Sequence, residues 1–254
     1  MATSRKTFNR SDTQTHAGNG PPGRRGQSSA PPDEYQRREA RILDAAATLL
    51  VRWGYRKTTV DDVAREAGVG KGTVYLHWKD KTELFSAAIW RASQQVTDDM
   101  LRRIEADPDG GLFHRVWTHG MLAILANPLM SALMRGRSDI FQGLADTLRP
   151  ETLARLGDNA AEHILQLRNA GLIRDDLPVP TITFLIGALK IGLIHTPDFI
   201  DPAFLPTDGQ LTDALSDLMR RWLEPEHLRG DSAAGKRIMA EWLTKTYAIT
   251  TEEV

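Results

Sequence analysis

A chain of 254 residues is long enough to bury one large core or two smaller ones, and this chain contains no cysteine. The absence of cysteine excludes disulfide bonds, thiolate metal sites and cysteine nucleophiles, and it fits a reducing cytoplasm. The net charge is −1, but residues 1–36 carry +2, residues 37–105 carry +3 and residues 106–254 carry −6. This distribution favours a nucleic-acid contact near the N-terminus, ahead of an acidic body.

We expect a cytoplasmic protein that has no membrane contact and joins the nucleoid when it binds DNA. No apolar run is expected to reach the roughly 20 residues of a spanning helix, and no hydrophobic stretch opens the chain as a signal peptide would. Residues 1–36 are rich in Ser, Thr, Gly, Pro and Arg, which predicts a disordered basic arm. The arm can contact phosphates, although a solvated tail without function explains the same composition. Its basic residues are Arg5, Lys6, Arg10, Arg24 and Arg25.

The first predicted helix begins at Arg37 and stops at Gly54, where glycine tolerates the backbone that ends a helix. Apolar residues at spacings of four, three and four predict its buried face. These residues are Ile42, Ala46, Leu49 and Trp53.

Two short helices follow within the next 25 residues. The second helix opens at Thr59, with Asp62 in a capping-box position, and ends at Gly68. A third helix then runs from Gly70 to Trp78, with Val74 and Trp78 one turn apart and facing inward.

The rest of the chain also predicts helices, so the fold class is all-α. A long fourth helix starts at an Asp80–Glu83 capping pair and ends before residues 107–111. Further helices are predicted near 112–126, 128–142, 150–171, 180–196 and 208–224, with a short helix at about 234–247. No segment predicts a strand convincingly.

Two short helices behind a packing helix, joined by a tight turn, are the arrangement of a helix-turn-helix DNA reader. The second helix exposes acidic residues, whereas none lies in residues 70–78, so the third helix approaches phosphates without repulsion. Gly70 and Gly72 allow its N-terminal amides to come close to the DNA backbone. We expect Lys71 and Thr73 to contact bases or phosphates.

The segment ARILDAAATLLVRWGYRKTTVDDVAREAGVGKGTVYLHWKDKTEL resembles the DNA-binding domain of TetR-type repressors over about residues 37–95. Trp78 departs from the phenylalanine of most relatives, a change that affects packing rather than readout. The resemblance implies six DNA contacts: Thr59, Lys71, Thr73, Tyr75, His77 and Lys81. Thr59 and Tyr75 also have structural explanations, as a helix cap and as a cover for the core.

The resemblance further implies that the remaining helices bind a small molecule and form a dimer. Aromatic and methionine stripes predict an adaptable apolar pocket, although ordinary core explains each stripe as well. Histidines on apolar faces need a partner, which protein, water or ligand can supply. The candidate ligand residues are Trp117, Met121, Met134, His163, Phe184 and His195.

Two late helices offer apolar faces that can meet a second copy of the chain in a four-helix interface. Such a dimer would hold two reading helices about 34 Å apart, one turn of DNA, over a palindromic operator. The candidate interface residues are Leu185, Leu189, Leu193, Leu211, Leu215, Leu218 and Trp222.

The sequence thus predicts a DNA-binding domain over 37–97, with its helix-turn-helix at about 58–78. A ligand-binding and dimerisation domain follows over 98–228, and residues 229–254 form an extension. The predicted function is that of a homodimeric repressor released from double-stranded operator DNA by a small-molecule inducer. A DNA-architectural protein without ligand remains an alternative. An enzyme is not expected, and neither is a metal or cofactor, because no catalytic, metal-ligating or cofactor motif occurs.

Overall fold

The computed structural model describes residues 32–135 and 150–251, and every regular element within these ranges is a helix. The all-α prediction is therefore confirmed. The α-helices are α1 Pro32–Lys57, α2 Val60–Glu66, α3 Lys71–His77, α4 Lys81–Ala106, α5 Phe113–Ala126, α6 Pro128–Leu133, α7 Pro150–Asn169, α8 Val179–His195, α9 Asp208–Leu223 and α10 Ser232–Thr251. Two short 3₁₀ helices, Thr196–Asp198 and Pro202–Phe204, connect α8 to α9.

Helix α1 begins earlier than the sequence predicts. It starts at Pro32, so residues 32–36, which we assigned to the disordered arm, are helical, while residues 1–31 lie outside the described residues. Gly54, with φ of 79°, introduces the kink at the predicted stop, and the helix continues to Lys57. Trp53 is 39% exposed, so its predicted burial is wrong. Periodicity identifies a helix face but not its cover, and near the kink Tyr55 rather than Trp53 packs against the core.

The first three helices and the start of α4 enclose one continuous apolar core. Val74 and Trp78 are buried in it as predicted, and Leu84 and Phe85 of α4 are fully buried. Both predicted caps are present: Thr59 and Asp62 form a capping box at α2, and the Asp80 side chain accepts a hydrogen bond from the amide of Glu83 at α4. These caps satisfy amides that a helix start otherwise leaves free.

The remaining helices form a body that is connected to this head through the 26-residue helix α4. Helix α5 packs against α4 and α9, while α7 packs against α8 and α10. The buried residues of the body separate into two clusters rather than one. The larger cluster includes Phe113, Ile164 and Met219, and the smaller consists of Ile104, Val116 and Met239.

Two element predictions in the body need correction. Helix α6 ends at Leu133, and the predicted continuation to residue 142 falls partly on residues 136–149, which lie outside the described residues. The prediction that residues 229–254 form an extension with one short helix is wrong. Helix α10 has 20 residues and packs along α7 and α4. Asn159 of α7 ties the two helices together, since its Nδ2 donates to Thr246 Oγ1 at 2.9 Å.

Helix α8 contradicts the expectation that no run is long and apolar enough to span a membrane. Within the described part of the chain, Val179–Asp198 meets that criterion by length and composition, and only 6% of it is buried. Length and composition do not distinguish a lipid contact from a protein contact. Within the described ranges, much of this apolar segment is exposed or only partly covered.

Candidate DNA-binding and effector sites

The turn between α2 and α3 places the predicted recognition helix at the surface. Gly68 has φ of 65°, a left-handed conformation that strongly favours glycine. Gly70 then caps α3 in an extended conformation. A Cβ at Gly72 would meet nothing within 4 Å, and at Gly70 it would meet only Thr73 Oγ1 at 3.8 Å. Packing inside the described protein therefore does not require glycine at either position.

The outward face of α3 carries one charged side chain, which is already engaged. Lys71 Nζ lies 2.9 Å from Asp61 Oδ2, and this hydrogen bond raises the lysine pKa. Both groups are exposed, and exposed ion pairs contribute little to stability, so Lys71 can exchange Asp61 for another acceptor. Thr73 is half-buried, while Tyr75 and Leu76 are exposed. Leu76 is a surface position that the sequence pattern did not single out.

His77 is less accessible than a phosphate ligand would be. Its ring stacks on Tyr35 with centroids 4.2 Å apart and on Trp78 at 5.1 Å. Burial lowers its pKa, and its Nε2 is buried without a hydrogen-bond partner among the described residues. Tyr35 is the residue that sequence reasoning missed here, because it was placed in the arm. An aromatic side chain just ahead of an amphipathic helix was the available signal.

Thr59 and Lys81 flank α3 from the two neighbouring helices. The Thr59 hydroxyl donates to Asp62 Oδ2 at 2.6 Å and accepts from the Asp62 amide at 3.2 Å, so its capping role is explicit. Lys81 Nζ lies 4.6 Å from the ring centroid of Tyr55, and burial lowers the lysine pKa. The Tyr55 hydroxyl is in turn hydrogen-bonded to Thr82 Oγ1 at 3.1 Å. These contacts hold Lys81 at the start of α4.

The body contains a partly open apolar cavity of about 360 Å³ between α4, α5, α7, α8 and α10. Four of the six predicted ligand residues line it: Trp117, Met121, Met134 and His163. The other two do not. Phe184 is 72% exposed, and the exposed His195 has its Nδ1 3.8 Å from Asp198 Oδ2.

Helix α8 turns a different face to the cavity than the sequence pattern suggested. The lining residues of α8 follow helical spacing: Thr183, Ile186, Lys190, Leu193 and Ile194. Helix α8 is apolar on all sides, so periodicity could not reveal which face points inward. Lys190 was missed for this reason, and Trp242 of α10 was missed because α10 was treated as an extension.

Three nitrogen-bearing side chains, those of His163, Lys190 and Trp242, lie together in the largely apolar cavity lining. The rings of His163 and Trp242 stack with centroids 4.8 Å apart, and Lys190 Nζ lies 5.6 Å from the Trp242 ring and 5.9 Å from the Trp117 ring. Burial, together with the nearby Lys190 charge, lowers the pKa of His163 to about 4, so this imidazole is neutral near pH 7. His163 Nδ1 and Trp242 Nε1 are buried without a hydrogen-bond partner in the described ranges.

The structure places the predicted interface residues in different environments, and only some of them are exposed. Leu185 and Leu218 are exposed and Leu211 is half-buried, but Leu215 is buried inside the protomer. Leu189 and Trp222 pack against the larger body core, and Leu193 lines the cavity. The large apolar side chains most exposed around α8 are different residues: Phe184, Ile191, Phe199 and Phe204. An exposed apolar surface is present, but the leucine spacing identified only part of it.

Helix α6 connects the cavity to the head, which consists of α1, α2, α3 and the start of α4. Leu129 is buried in the core of the head, while Met134, just after the helix, lines the cavity. The Asn127 side chain caps α6 and donates from Nδ2 to Gln95 Oε1 of α4 at 3.1 Å. Arg91 of α4 also donates to the Ala40 carbonyl of α1 at 2.8 Å. Packed contacts therefore run from the cavity to the helix-turn-helix.

Known proteins resemble this chain in sequence, most strongly in the head. The model of the family described as bacterial regulatory proteins, tetR family, matches residues 42–88. The transcriptional regulator SrpR of Pseudomonas putida is 31% identical over 167 residues, which cover 63% of this chain and 73% of SrpR. AcrR of Shigella flexneri is 41% identical over 61 residues, 24% of this chain and 28% of AcrR.

Solved structures give the same fold at lower identity. The SmeT–triclosan complex has a TM-score of 0.56 at 19% identity, covering 77% of this chain and 96% of SmeT. NalD, described as the secondary repressor of the MexAB-OprM multidrug efflux pump in Pseudomonas aeruginosa, has a TM-score of 0.52 at 21% identity, covering 77% of this chain and all of NalD. The similarity to SrpR extends well beyond the DNA-binding head, and the fold similarity covers the body too. The chain therefore belongs to the TetR family of bacterial transcriptional regulators.

Proposed function

We propose that this protein is a repressor that binds operator DNA through α3 and leaves it when a small molecule occupies the body cavity. The observation that carries the DNA-binding part is the surface of α3. Residues 70–78 contain no acidic side chain, and Gly70 and Gly72 leave space that the described protein does not fill. A helix N-terminus with free amides and no negative charge suits a phosphate backbone.

The individual contacts stay predictions, with roles refined by the geometry. Lys71 and Thr73 are proposed to read base edges, with Lys71 exchanging Asp61 for DNA. The exposed Tyr75 and the half-buried Lys81 are proposed as phosphate contacts. His77 is proposed to act through its stack with Tyr35, which orients the end of α3. Thr59 fixes the start of α2 through its capping box, and a contact with DNA would be additional to that role.

A second copy of this chain is the proposed cover for the apolar surface around α8. Phe199 and Phe204 are 85% and 81% exposed. They follow α8, which itself exposes Phe184 and Ile191. Patches of this kind mark protein or membrane contacts. A protein contact is favoured because charged Asp198 and Asp201 are interspersed among these aromatic residues. Two-fold pairing would match a palindromic operator, and we place such a dimer in the cytoplasm.

Release from DNA is proposed to pass through α4 and α6. An effector shifts a population only if it binds one conformation better than the other. Met134 touches the cavity and Leu129 belongs to the core of the head, so a ligand that displaces α6 would also disturb α1 and α4. Linkage requires that operator DNA weaken effector binding by the same factor by which the effector weakens DNA binding.

The test is a DNase I footprint of the full chain on the intergenic DNA beside its own gene, repeated on random DNA of equal length. We expect protection of a palindrome whose half-site centres are about 34 Å apart or farther, with weaker binding to random DNA. Equal affinity for both DNAs would contradict the proposal and support an architectural protein. Light scattering of the same sample should give a dimer, whereas a monomer that floats with liposomes would assign the apolar surface to a membrane.

A further inference from the structure

Lys190 is the one charged residue among the side chains that line the body cavity in the described part of the chain. Its Nζ lies over the rings of both Trp117 and Trp242, and no carboxylate there pairs with it. The side chain stays accessible because the cavity is partly open. An ammonium group held against apolar walls has lost part of its hydration, so an anion that reaches it is bound more strongly than in water.

Two further groups point to the same ligand chemistry. Trp242 Nε1 can only donate a hydrogen bond, and it is buried without a partner among the described residues. His163 is buried and neutral, and its Nδ1 also has no partner there. Buried polar groups without partners are costly, so a ligand oxygen that accepts from the indole would satisfy one of them.

The position of Lys190 also disfavours one class of ligand. An organic cation is usually held over aromatic faces, but Lys190 already occupies the faces of Trp117 and Trp242. No Asp or Glu among the described residues lines the cavity to balance a second positive charge. A cationic ligand would therefore meet repulsion in place of a cage.

We propose that the effector is an amphipathic organic anion, with an apolar body in the cavity and one anionic oxygen group received by Lys190 and the indole of Trp242. This rests on the proposed function, in which the cavity is the effector site. The volume of about 360 Å³ lies at the small end of ligand sites, which suits a compact aromatic or short-chain body. Carboxylates and phenolates share the required chemistry.

The test uses three probes with one apolar body: phenylbutyrate, phenylbutanol and phenylbutylammonium, each with the ring and polar group at opposite ends. Calorimetry and tryptophan fluorescence on the full chain should give the order anion, alcohol, cation, with the anion about tenfold tighter than the alcohol. Equal affinity for the anion and the alcohol, tighter binding of the cation, or no binding of the anion at millimolar concentration would each overturn the proposal.

Lys190→Met separates charge from packing, because methionine keeps an unbranched apolar stem. We expect this variant to bind phenylbutanol within about twofold of the parent and to lose the preference for phenylbutyrate. Lys245→Met is the matched control, since Lys245 lies outside the cavity on α10 and pairs with Glu162 at 2.7 Å. The control should keep the anion preference. An unchanged preference in Lys190→Met would remove Lys190 from the site.

Footprinting of the same Lys190→Met protein keeps the two proposals apart. Operator binding with no anion preference in the parent chain would sink the anion proposal and leave the repressor proposal intact. Anion preference in a parent chain that does not bind the operator would sink the repressor proposal and leave the anion site intact. A Lys190→Met protein that protects the operator also shows that the variant is folded, so a lost anion preference reports the charge alone.

Discussion

The DNA-binding head and the body of this chain are both helical, yet they bury their apolar residues in different ways. The head has one closed core in which Phe85 and Leu84 are fully buried. The body divides its buried residues between two clusters, with a cavity lined by both. A closed core transmits displacement because it cannot deform gradually, whereas a core with internal space can admit a ligand.

Both regions contain buried polar atoms without partners among the described residues, but these atoms lie in different settings. In the head, His77 Nε2 belongs to a ring that stacks on Tyr35 and Trp78. In the body, His163 Nδ1 and Trp242 Nε1 belong to residues that line the cavity. Buried polar groups without partners are costly, so the cavity wall is the part of the body where a bound molecule would gain most from polar contacts.

The largest expected effect tests the difference between the cores with a matched pair of phenylalanines. Phe85→Ala should lower the free energy of unfolding by about 3–5 kcal/mol, because the closed core leaves a cavity behind. Phe113→Ala should cost less, since Phe113 lines the cavity, where part of its surroundings is space instead of packed atoms. Urea unfolding of both variants measures the two losses. Similar losses would remove the distinction between a closed and an open core.

The next effect concerns the reading surface of the head. Lys71→Ala combined with Thr73→Ala should reduce discrimination between operator and random DNA by about 1–3 kcal/mol, because base contacts carry specificity. Lys81→Ala should weaken binding to operator and random DNA alike, because a phosphate contact carries no sequence information. It should also reduce the slope of log affinity against log salt concentration by about one unit. Fluorescence anisotropy across a salt series separates the two patterns. Lys57→Ala, at the end of α1, is the control. The same changes in affinity and salt slope in all three proteins would contradict the roles assigned to Lys71, Thr73 and Lys81.

The ease of predicting each region from sequence follows the same division. Caps, the glycine turn and the inward positions Val74 and Trp78 rest on neighbours within a few residues, and the structure contains all of them. Helix α8 gave no such signal, because every side of it is apolar and tertiary contacts alone decide which side faces the cavity. Lys190 was missed and Phe184 was misplaced for that one reason.

Two segments at the ends of the described chain were predicted to lie outside the fold. The arm is poor in large apolar residues, whereas residues 229–254 were expected to form an extension with one short amphipathic helix. Tyr35 and Trp242 nevertheless reach their sites by stacking on histidines, at 4.2 Å and 4.8 Å. Helical spacing can place an aromatic residue on one face of its own helix, but it does not identify the partner of that residue in a distant segment. Sequence patterns therefore predicted the reading helix well and the residues that brace it poorly.

The junction of the two regions gives a pH-dependent prediction. Asp107 follows α4, and although burial alone would raise its pKa, hydrogen bonds from His119 and Arg115 lower it to about 2. Because the folded pKa lies below the unfolded one, the carboxylate stabilises the fold above pH 4 and loses this effect as pH falls toward 2. Asp107→Asn should cost about 1–2 kcal/mol at pH 7 and progressively less below pH 4.

Urea unfolding at pH 7, 4 and 3 measures that dependence for the parent and for Asp107→Asn. Asp109→Asn is the control, because Asp109 is an exposed carboxyl two residues away. If the difference in the free energy of unfolding between the parent and Asp107→Asn is the same at all three pH values, lost packing rather than the ionised carboxylate accounts for the destabilisation.

The smallest expected effect compares two stacked tyrosines, one in each region. Tyr35→Ala removes the ring stacked on His77, and Tyr247→Ala removes the ring stacked on Trp90 at 6.1 Å. Each should lower the free energy of unfolding by about 0.5–1.5 kcal/mol. Only Tyr35→Ala should also weaken operator binding, because only that ring braces α3. Exposure of His77 should in addition raise its pKa toward the ordinary value, which NMR titration of the imidazole can follow. Equal operator affinity in the two variants would show that α3 is positioned without Tyr35. The part of the head that positions α3 would then begin at the core residues of α1 and would exclude its first turn.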